Sequence, residues 1–517
     1  MMKVCHEIRK NTYYDSVTLM LISKELKKME GIKEALVGMA TDLNKELAEM
    51  INISSEDIKS ASPNDFFVSV LCHESIEKEI ILDKVDKLLN EKKKESSLDY
   101  RPATLDSALK YEPNLNLALI SVPGKYAAGE ARKALNKGLH VMLFSDNVSM
   151  EDERKLKELA SEKGLLMMGP DCGTAIINNV PLAFANVVKK GNIGVVGASG
   201  TGTQEVTVLI DRLGEGVSQV IGTGGRDLKK EIGGIMMLDG LKSLLEDDET
   251  SVIVLISKPP HKDVAKKVLE EVKKSNKPIV VNFIGGDKKE IEDHGGYFAK
   301  NLEDAAYMAV NLLRDKEDTP NYEEIEKMAK MEAAQIGSNQ KYMRGLFTGG
   351  TLADEAMKIF MNHMDVYSNI PLKPDLKLLD IHKSIKDTCI DLGDDDFTVG
   401  KPHPMIDPSN RVERLLKEKE DESVAVVLMD FVLGYGSNED PVGEMIPSII
   451  EAKKAFEDRG QYLSVVGSIC GTENDPQDYK KSKKRLEDIG VVVMPSNAQA
   501  ARLTSSILKL LRGGSCE

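Results

Sequence analysis

Gly191-Asn-Ile-Gly-Val-Val-Gly-Ala-Ser-Gly-Thr-Gly-Thr-Gln-Glu205 decides the fold of this chain. It reads as a short apolar strand, then a Gly/Ser/Thr turn, then the start of a helix. That arrangement leaves backbone N–H groups unpaired at a helix N-terminus, pointing at whatever anion sits there. Small residues let the anion come close to the backbone. The stretch therefore predicts an α/β fold with a phosphate or carboxylate site at Ser199, Gly200, Thr201, Gly202 and Thr203.

Strands continue on both sides of it. Downstream, Val217–Ile221, Val252–Ile256 and Ile279–Phe283 complete a unit over 191–318, and Gly-rich turns follow several of them. Ligands in open α/β sheets bind beyond the carboxyl ends of the strands. This adds Gly224, Gly225 and Arg226 after one strand and Lys258 after another. Upstream, 98–190 alternates strands (Leu117–Val122, His140–Phe144, Leu165–Met168) with helices at Gly124–Lys137 and from Ser149, a rhythm that implies a parallel sheet. Residues 1–97 read as a small α+β domain. Its helix is Tyr13–Met29, its strands are Ala35–Ala40 and Phe66–Cys72, and the charged run Glu91–Ser97 closes it as a linker. Asp315–Asn339 reads as a connecting helix or linker.

The pattern then repeats over 340–517. Leu346-Phe-Thr-Gly-Gly-Thr-Leu-Ala-Asp-Glu355 aligns on Val196–Glu205, so that Gly200, Thr201 and Glu205 fall on Gly350, Thr351 and Glu355. Val252–Ile256 corresponds to Val424–Leu428 and Lys277–Gly285 to Tyr462–Cys470. Each half ends in an Ala-Ala helix, at Ala305-Ala306 and Ala500-Ala501. An ordered series of matches of this kind predicts a diverged duplication.

Composition bounds the function. The net charge of −15 argues against a nucleic-acid backbone as partner. Aromatic residues make up 5% of the chain and Trp is absent, so the cores must be aliphatic with Met as filler. The six cysteines show no metal-like spacing, so no metal is expected, and a reducing compartment is. No apolar leader or spanning segment appears, which gives the expectation of a cytoplasmic protein with no membrane partner.

Several motifs carry a family resemblance. Gly169-Pro-Asp-Cys-Gly-Thr174, Gly194-Val-Val-Gly-Ala-Ser-Gly-Thr201 and Ile221-Gly-Thr-Gly-Gly225 resemble the α subunit of succinyl-CoA synthetase. Val122-Pro-Gly-Lys-Tyr-Ala-Ala128 and the helix after it fit that subunit's CoA-binding domain. Asp391-Leu-Gly-Asp-Asp-Asp396 and Asp430–Gly436 resemble the carboxy-terminal domain of the β subunit. Together with Ile8–Ser16 and Gly400-Lys-Pro-His-Pro404, the order is similar to that of the FdrA family of acyl-CoA synthetase-like proteins. The resemblance implies a Rossmann-like CoA-binding-type domain at 98–190 and two flavodoxin-like, synthetase-type domains at 191–318 and 340–517. It also implies two helix N-termini that clamp the phosphate of a phosphohistidine. The matching positions are Ser199-Gly200-Thr201 and, in the second half, Gly434, Gly436 and Ser437, with Gly350 and Thr351 as further anion-binding positions.

Three departures qualify the implied activity. No glycine lies between Ser60 and Tyr111, where the family has a Gly-rich loop for the CoA phosphates, so CoA is a candidate cofactor whose loop is missing. No stretch supplies a nucleotide-grasp domain. Ser257-Lys-Pro-Pro260 stands where a carboxylate should orient the phosphohistidine; Lys258 can pair with phosphate but cannot accept a proton from imidazole. His294 stands near the phosphohistidine position, and His403, between two prolines, is the alternative.

The family resemblance further implies an oxamate carbamoyltransferase subunit in anaerobic allantoin use, converting oxalurate and phosphate into oxamate and carbamoyl phosphate. Its partners would be a small anionic substrate, phosphate, further copies of itself and other transferase subunits. Ser199, Gly200 and Thr201 would hold phosphate, with Lys258 or Arg226 neutralising it. The alternatives are an acyl-CoA synthetase acting through phosphohistidine at His294, and a non-catalytic anion-binding regulatory subunit.

Overall fold

The computed structural model describes residues 2–12, 14, 16–94, 102–361, 363–398 and 401–513. Two compact units emerge. One runs to Asn114 and includes Thr398–Pro402; the other comprises Leu115–Phe397 and His403–Glu517.

The first unit is an antiparallel sheet in the order Met2–Arg9, Phe66–His73, Ile32–Met39. Leu19, Ile22 and Leu26 recur at helical spacing along Ser16–Lys27 and bury against Val68, Val70 and Cys72. Ile81, Val85 and Leu89 do the same from the helix Lys78–Lys94. That helix runs through Glu91–Lys94, where a linker was expected; the rest of the expected linker lies outside the described residues. The strand Met2–Arg9 escaped the sequence reading because Lys3, His6, Glu7 and Arg9 interrupt its apolar positions.

The second unit holds three sheets. A parallel one orders Leu117–Ile120, His140–Leu143, Met167–Met168 and is packed by the helices Gly124–Asn136 and Met150–Glu162. The seven-stranded sheet runs Tyr297–Phe298, Ile279–Phe283, Val252–Ser257, Lys190–Gly197, Val217–Gly222, Thr174–Ile177, Val180–Ala183. Its last two strands form a hairpin that sequence reading placed in the preceding domain. The six-stranded sheet runs Tyr367–Ser368, Thr388–Asp391, Tyr342–Phe347, Val424–Val432, Ser464–Cys470, Val492–Met494.

Apart from the hairpin and short additions, the two larger sheets share the flavodoxin-like order 2-1-3-4-5. The central strands Val252–Ser257 and Val424–Val432 are buried along their whole length, as parallel strands covered on both faces must be. The helices Gly200–Arg212, Leu302–Arg314, Gly350–Phe360 and Asn497–Leu511 contribute to one continuous aliphatic core shared by the two halves. Asp315–Asn339 contains the helix Glu323–Ala333, whose Ile325 and Ala329 join that core.

Candidate functional site

In each half the first strand hands straight over to a helix. Lys190–Gly197 leads through Ala198-Ser199 into Gly200–Arg212; Tyr342–Phe347 leads through Thr348-Gly349 into Gly350–Phe360. The two helix N-termini meet. Ser199 Oγ accepts the Gly202 N–H at 3.0 Å and donates to Thr351 Oγ1 at 2.6 Å. The approach depends on glycine on each side. A Cβ on Gly349 would collide with the Thr201 side chain, and one on Gly202 would lie 2.9 Å from Thr351 Cγ2. Each half thus supplies a glycine that receives the other's threonine. The first N–H groups of both helices have no intrahelical partner, and both positive ends converge here.

Charged groups ring the second of these ends. Lys258, just past the strand Val252–Ser257, places Nζ 3.3 Å from Asp354 Oδ2. A Cβ on Gly350 would stand 3.0 Å from Lys258 Nζ and would collide with Asp391. Burial works to lower the Lys258 pKa, but Asp354 and Asp391 hold it above its ordinary value. Burial pushes the Asp391 carboxyl up to about 7, against the pull of Lys258 and of the Gly393 N–H that Oδ1 accepts at 2.9 Å. Asp171 is pushed up to about 6 by burial and by Asp146 and Asp395. Two carboxyls that titrate near neutrality beside an ammonium can hold or release a proton.

His403 sits at the same edge. Its Nδ1 accepts the Met405 N–H at 3.2 Å, and a Cβ on Gly393 would approach both His403 Nε2, at 2.5 Å, and Thr348 O, at 2.6 Å. Burial pushes its pKa down to about 4, so the ring is neutral. With Nδ1 accepting, this hydrogen bond assigns the proton to Nε2.

His294 lies away from the Ser199–Thr351 junction. It ends the short helix Lys288–Asp293, bonds through Nδ1 to Glu290 O at 2.7 Å, and has Nε2 3.7 Å from Glu270 Oε1. Tyr297, three residues on, pairs with Val280 at the start of its neighbouring strand, whereas Ser199 follows the end of its own strand. The crossover has carried the chain back to the amino-terminal edge of the sheet.

The Gly434 turn reaches the same first helix through Asn186, whose Nδ2 donates to Leu433 O at 3.0 Å and whose Oδ1 accepts from Gln204 Nε2 at 3.0 Å. Gly434 and Gly436 take positive φ, 107° and 74°, and fold against Ala183–Ala185, where the Tyr435 N–H donates to Ala185 O at 2.9 Å. Ser437 Oγ is buried without a partner. This turn follows the third strand of its half, whereas the direct hydrogen-bond partner of Ser199 is Thr351, after the first strand. Arg226 is also committed elsewhere. It donates to Val148 O at 2.8 Å and pairs with Glu153 at 2.9 Å, beside a buried Lys157–Glu153–Asp227 cluster. Gly224 folds over Pro170, and Gly225 faces Asp171.

Sequence reading aligned Glu205 with Glu355 but gave neither a role. Glu355 Oε1 accepts the Leu302 N–H at 2.7 Å, and Glu205 Oε1 accepts the Asn497 N–H at 3.0 Å. Each helix of the clamp thus caps the last helix of the opposite half. Asp354 was missed altogether, because nothing local distinguishes it from an ordinary helix acid.

After the strand Leu117–Ile120 the chain turns at Ser121–Pro123 into the helix Gly124–Asn136. Pro123, which lacks an N–H, caps that helix, and a Cβ on Gly124 would already collide with Asp146 O and Asn147 O. Among the described residues no group of three His, Cys, Asp or Glu side chains is arranged to hold a metal, and no helix is long and apolar enough to cross a membrane.

Family models match three parts of the chain: CoA-ligase at 346–507, CoA binding domain at 188–285, and AllF, heavy metal-associated domain at 2–103. The CoA-binding match falls on the Gly191–Glu205 half and not on 98–190. The chain is 47% identical to YahF of Escherichia coli (strain K12) over 503 residues, 97% of this chain and 98% of that one. It is 31% identical over 183 residues to a succinate–CoA ligase [ADP-forming] subunit alpha of Archaeoglobus fulgidus, covering 34% of this chain and 60% of that one. A solved acetyl-coenzyme A synthetase of Ca. Korarchaeum cryptofilum is 16% identical over 77% of this chain and 82% of that one, at a TM-score of 0.32. With domain matches in this order and a full-length relative, the chain belongs to the FdrA-like family of acyl-CoA synthetase-like proteins related to succinyl-CoA synthetase.

Proposed function

We propose that this chain handles an acyl phosphate in acyl-CoA synthetase-type chemistry, holding the phosphoryl group between the helix ends at Ser199–Thr201 and Gly349–Thr351. The 2.6 Å hydrogen bond that joins those ends carries the reading. Two preorganised positive ends stabilise charge on a phosphoryl group without rearranging during the reaction. Lys258 supplies a full charge beside them. Asp391, which keeps its proton up to about pH 7, is the group able to give a proton to a departing oxygen or nitrogen, and the Nε2–H of the neutral His403 ring can donate a hydrogen bond to it.

A narrower reading is favoured by Lys258 standing where the synthetases orient a phosphohistidine, and by His294 lying away from the clamp. It is direct carbamoyl transfer. A phosphate oxygen attacks the carbamoyl carbon of oxalurate, the C–N bond breaks, and the departing oxamate nitrogen takes a proton. Other subunits complete the complex in this reading.

The test incubates the purified chain, alone and with its co-purifying partners, with succinyl phosphate plus CoA and separately with carbamoyl phosphate plus oxamate. Thioester formation selects the synthetase reading and oxalurate formation the carbamoyl one. If neither substrate pair yields product or releases phosphate in any combination, the acyl-phosphate reading fails.

A further inference from the structure

A second cluster of anion-seeking groups lies along the same helix, past Thr351. A small pocket of about 50 Å³ opens between the end of the strand Ile279–Phe283, the start of the helix Leu302–Arg314 and the middle of Gly350–Phe360. It has room for roughly four waters, the scale of one small oxyanion. Lys300, Lys358 and Arg502 line it, and no ion pair is formed by any of the three among the described residues. A cationic rim of this kind would be unremarkable on an open surface. Here three of the lining residues also carry buried polar atoms without a hydrogen-bond partner.

Asn301 is 6% exposed and caps its helix. Its Oδ1 accepts the Asp304 N–H at 2.8 Å, which fixes the amide and leaves Nδ2 as a buried donor without a partner. Arg502 Nε is a second buried donor without a partner. Asn282, 1% exposed, gives Nδ2 to Ala299 O and leaves Oδ1 unmatched. Native interiors leave few such groups unpaired, and those that remain call for a ligand, a water or an ion. Two orphaned donors and three cations select an oxyanion; the lone acceptor Asn282 Oδ1 suits a protonated oxygen of the same ligand. Glu355 also lines the pocket, but both its oxygens are taken by Leu302 N–H and Asn497 Nδ2, and burial keeps it protonated to about pH 8, so it does not repel an anion. Asp304, the nearby acid, faces both Lys300 and Arg502.

We infer that this pocket is a second, separate oxyanion site for a phosphate or a small carboxylate, built from Asn301, Arg502, Lys300 and Lys358. Because Glu355 and Lys358 share a helix with Thr351, its occupant touches the same rigid element that forms the clamp. The inference does not depend on the clamp's chemistry.

Titrating the full-length protein calorimetrically, once with inorganic phosphate and once with succinate, tests it. Two sites are expected for whichever ion fits. Asn301→Asp keeps the helix cap while placing a carboxylate where the donor was; it should weaken one site about tenfold or more and leave the other unchanged. Lys358→Ala, at an exposed position, should weaken the same site, which guards against misfolding of the first variant. Thr201→Ala should affect only the other site. If both ions bind to Asn301→Asp and Lys358→Ala with wild-type stoichiometry and affinity, the pocket is not a site, whatever Thr201→Ala does. Loss of binding with Thr201→Ala alone would leave the clamp standing and remove this inference.

Discussion

Ser199 Oγ donates to Thr351 Oγ1 at 2.6 Å, across 152 residues of sequence, and so ties the first helix of one half to the first helix of the other. Both residues sit at the same place in a repeated strand–turn–helix unit. The junction is therefore made by the two units together: neither half has it alone.

Removing that bond should weaken anion binding more than it weakens the fold. Thr351→Val keeps the shape and deletes the hydroxyl. Phosphate affinity should drop by about tenfold, while the melting temperature changes by only a few degrees, since one hydrogen bond contributes about 1 kcal/mol. Isothermal titration and differential scanning calorimetry on the same sample separate the two effects.

Gly349→Ala should be destabilising through a contact with the other half. Its φ of −132° suits alanine, so the cost comes from the collision with Thr201. Overpacking of this kind costs about 1–3 kcal/mol. Thr201→Gly in the same chain should recover much of the loss. A double-mutant cycle by urea unfolding checks this; additive effects would mean that the two residues do not meet.

The buried carboxyls set a pH dependence. Burial raises Glu355 from 4.5 to about 8 and Asp391 from 3.8 to about 7. Over these windows the folded chain binds protons that the unfolded chain has released. Stability from these groups is thus fully present below the unfolded values and is lost as pH rises through the folded ones. Thermal unfolding should fall in midpoint between about pH 5 and pH 8. Glu355→Gln, which keeps an acceptor for the Leu302 N–H, should flatten the upper part of that decline.

The two histidines should behave oppositely. His294→Ala should leave phosphate binding and turnover unchanged, because the residue lies at the far edge of its sheet. His403→Ala should reduce turnover by about tenfold, in line with loss of a positioned hydrogen-bond donor. Incubation with radiolabelled acyl phosphate adds a second readout: a label held on His294 would contradict the placement described here.

Much of this architecture was readable in the linear sequence. The alternation of Val/Ile runs with Gly-rich turns located most strands of the two large sheets, because buried parallel strands need continuous apolar sequence. Val196–Glu205 and Leu346–Glu355 aligned correctly as equivalent units, since each half needs the same small residues where its helix begins. The Met2–Arg9 strand and the Thr174–Ala183 hairpin were not readable. Met2–Arg9 and Val180–Ala183 are edge strands with a mixed pattern, and Thr174–Ile177 is only four residues long.

The sequence by itself determined that two helices begin at small-residue turns with free N–H groups, because these are local properties of Gly200-Thr201 and Gly350-Thr351. Only the tertiary structure decided which ends face each other. Gly434–Ser437 resembled a partner in composition, yet its positive-φ glycines turn it against Ala185, while Gly349 alone leaves room for Thr201. The same holds for the charges. Lys258 and Asp354 lie 96 positions apart, and Lys258 holds its charge through the fields of Asp354 and Asp391. Electrostatic environment depends on distance and burial, and neither is a property of sequence order.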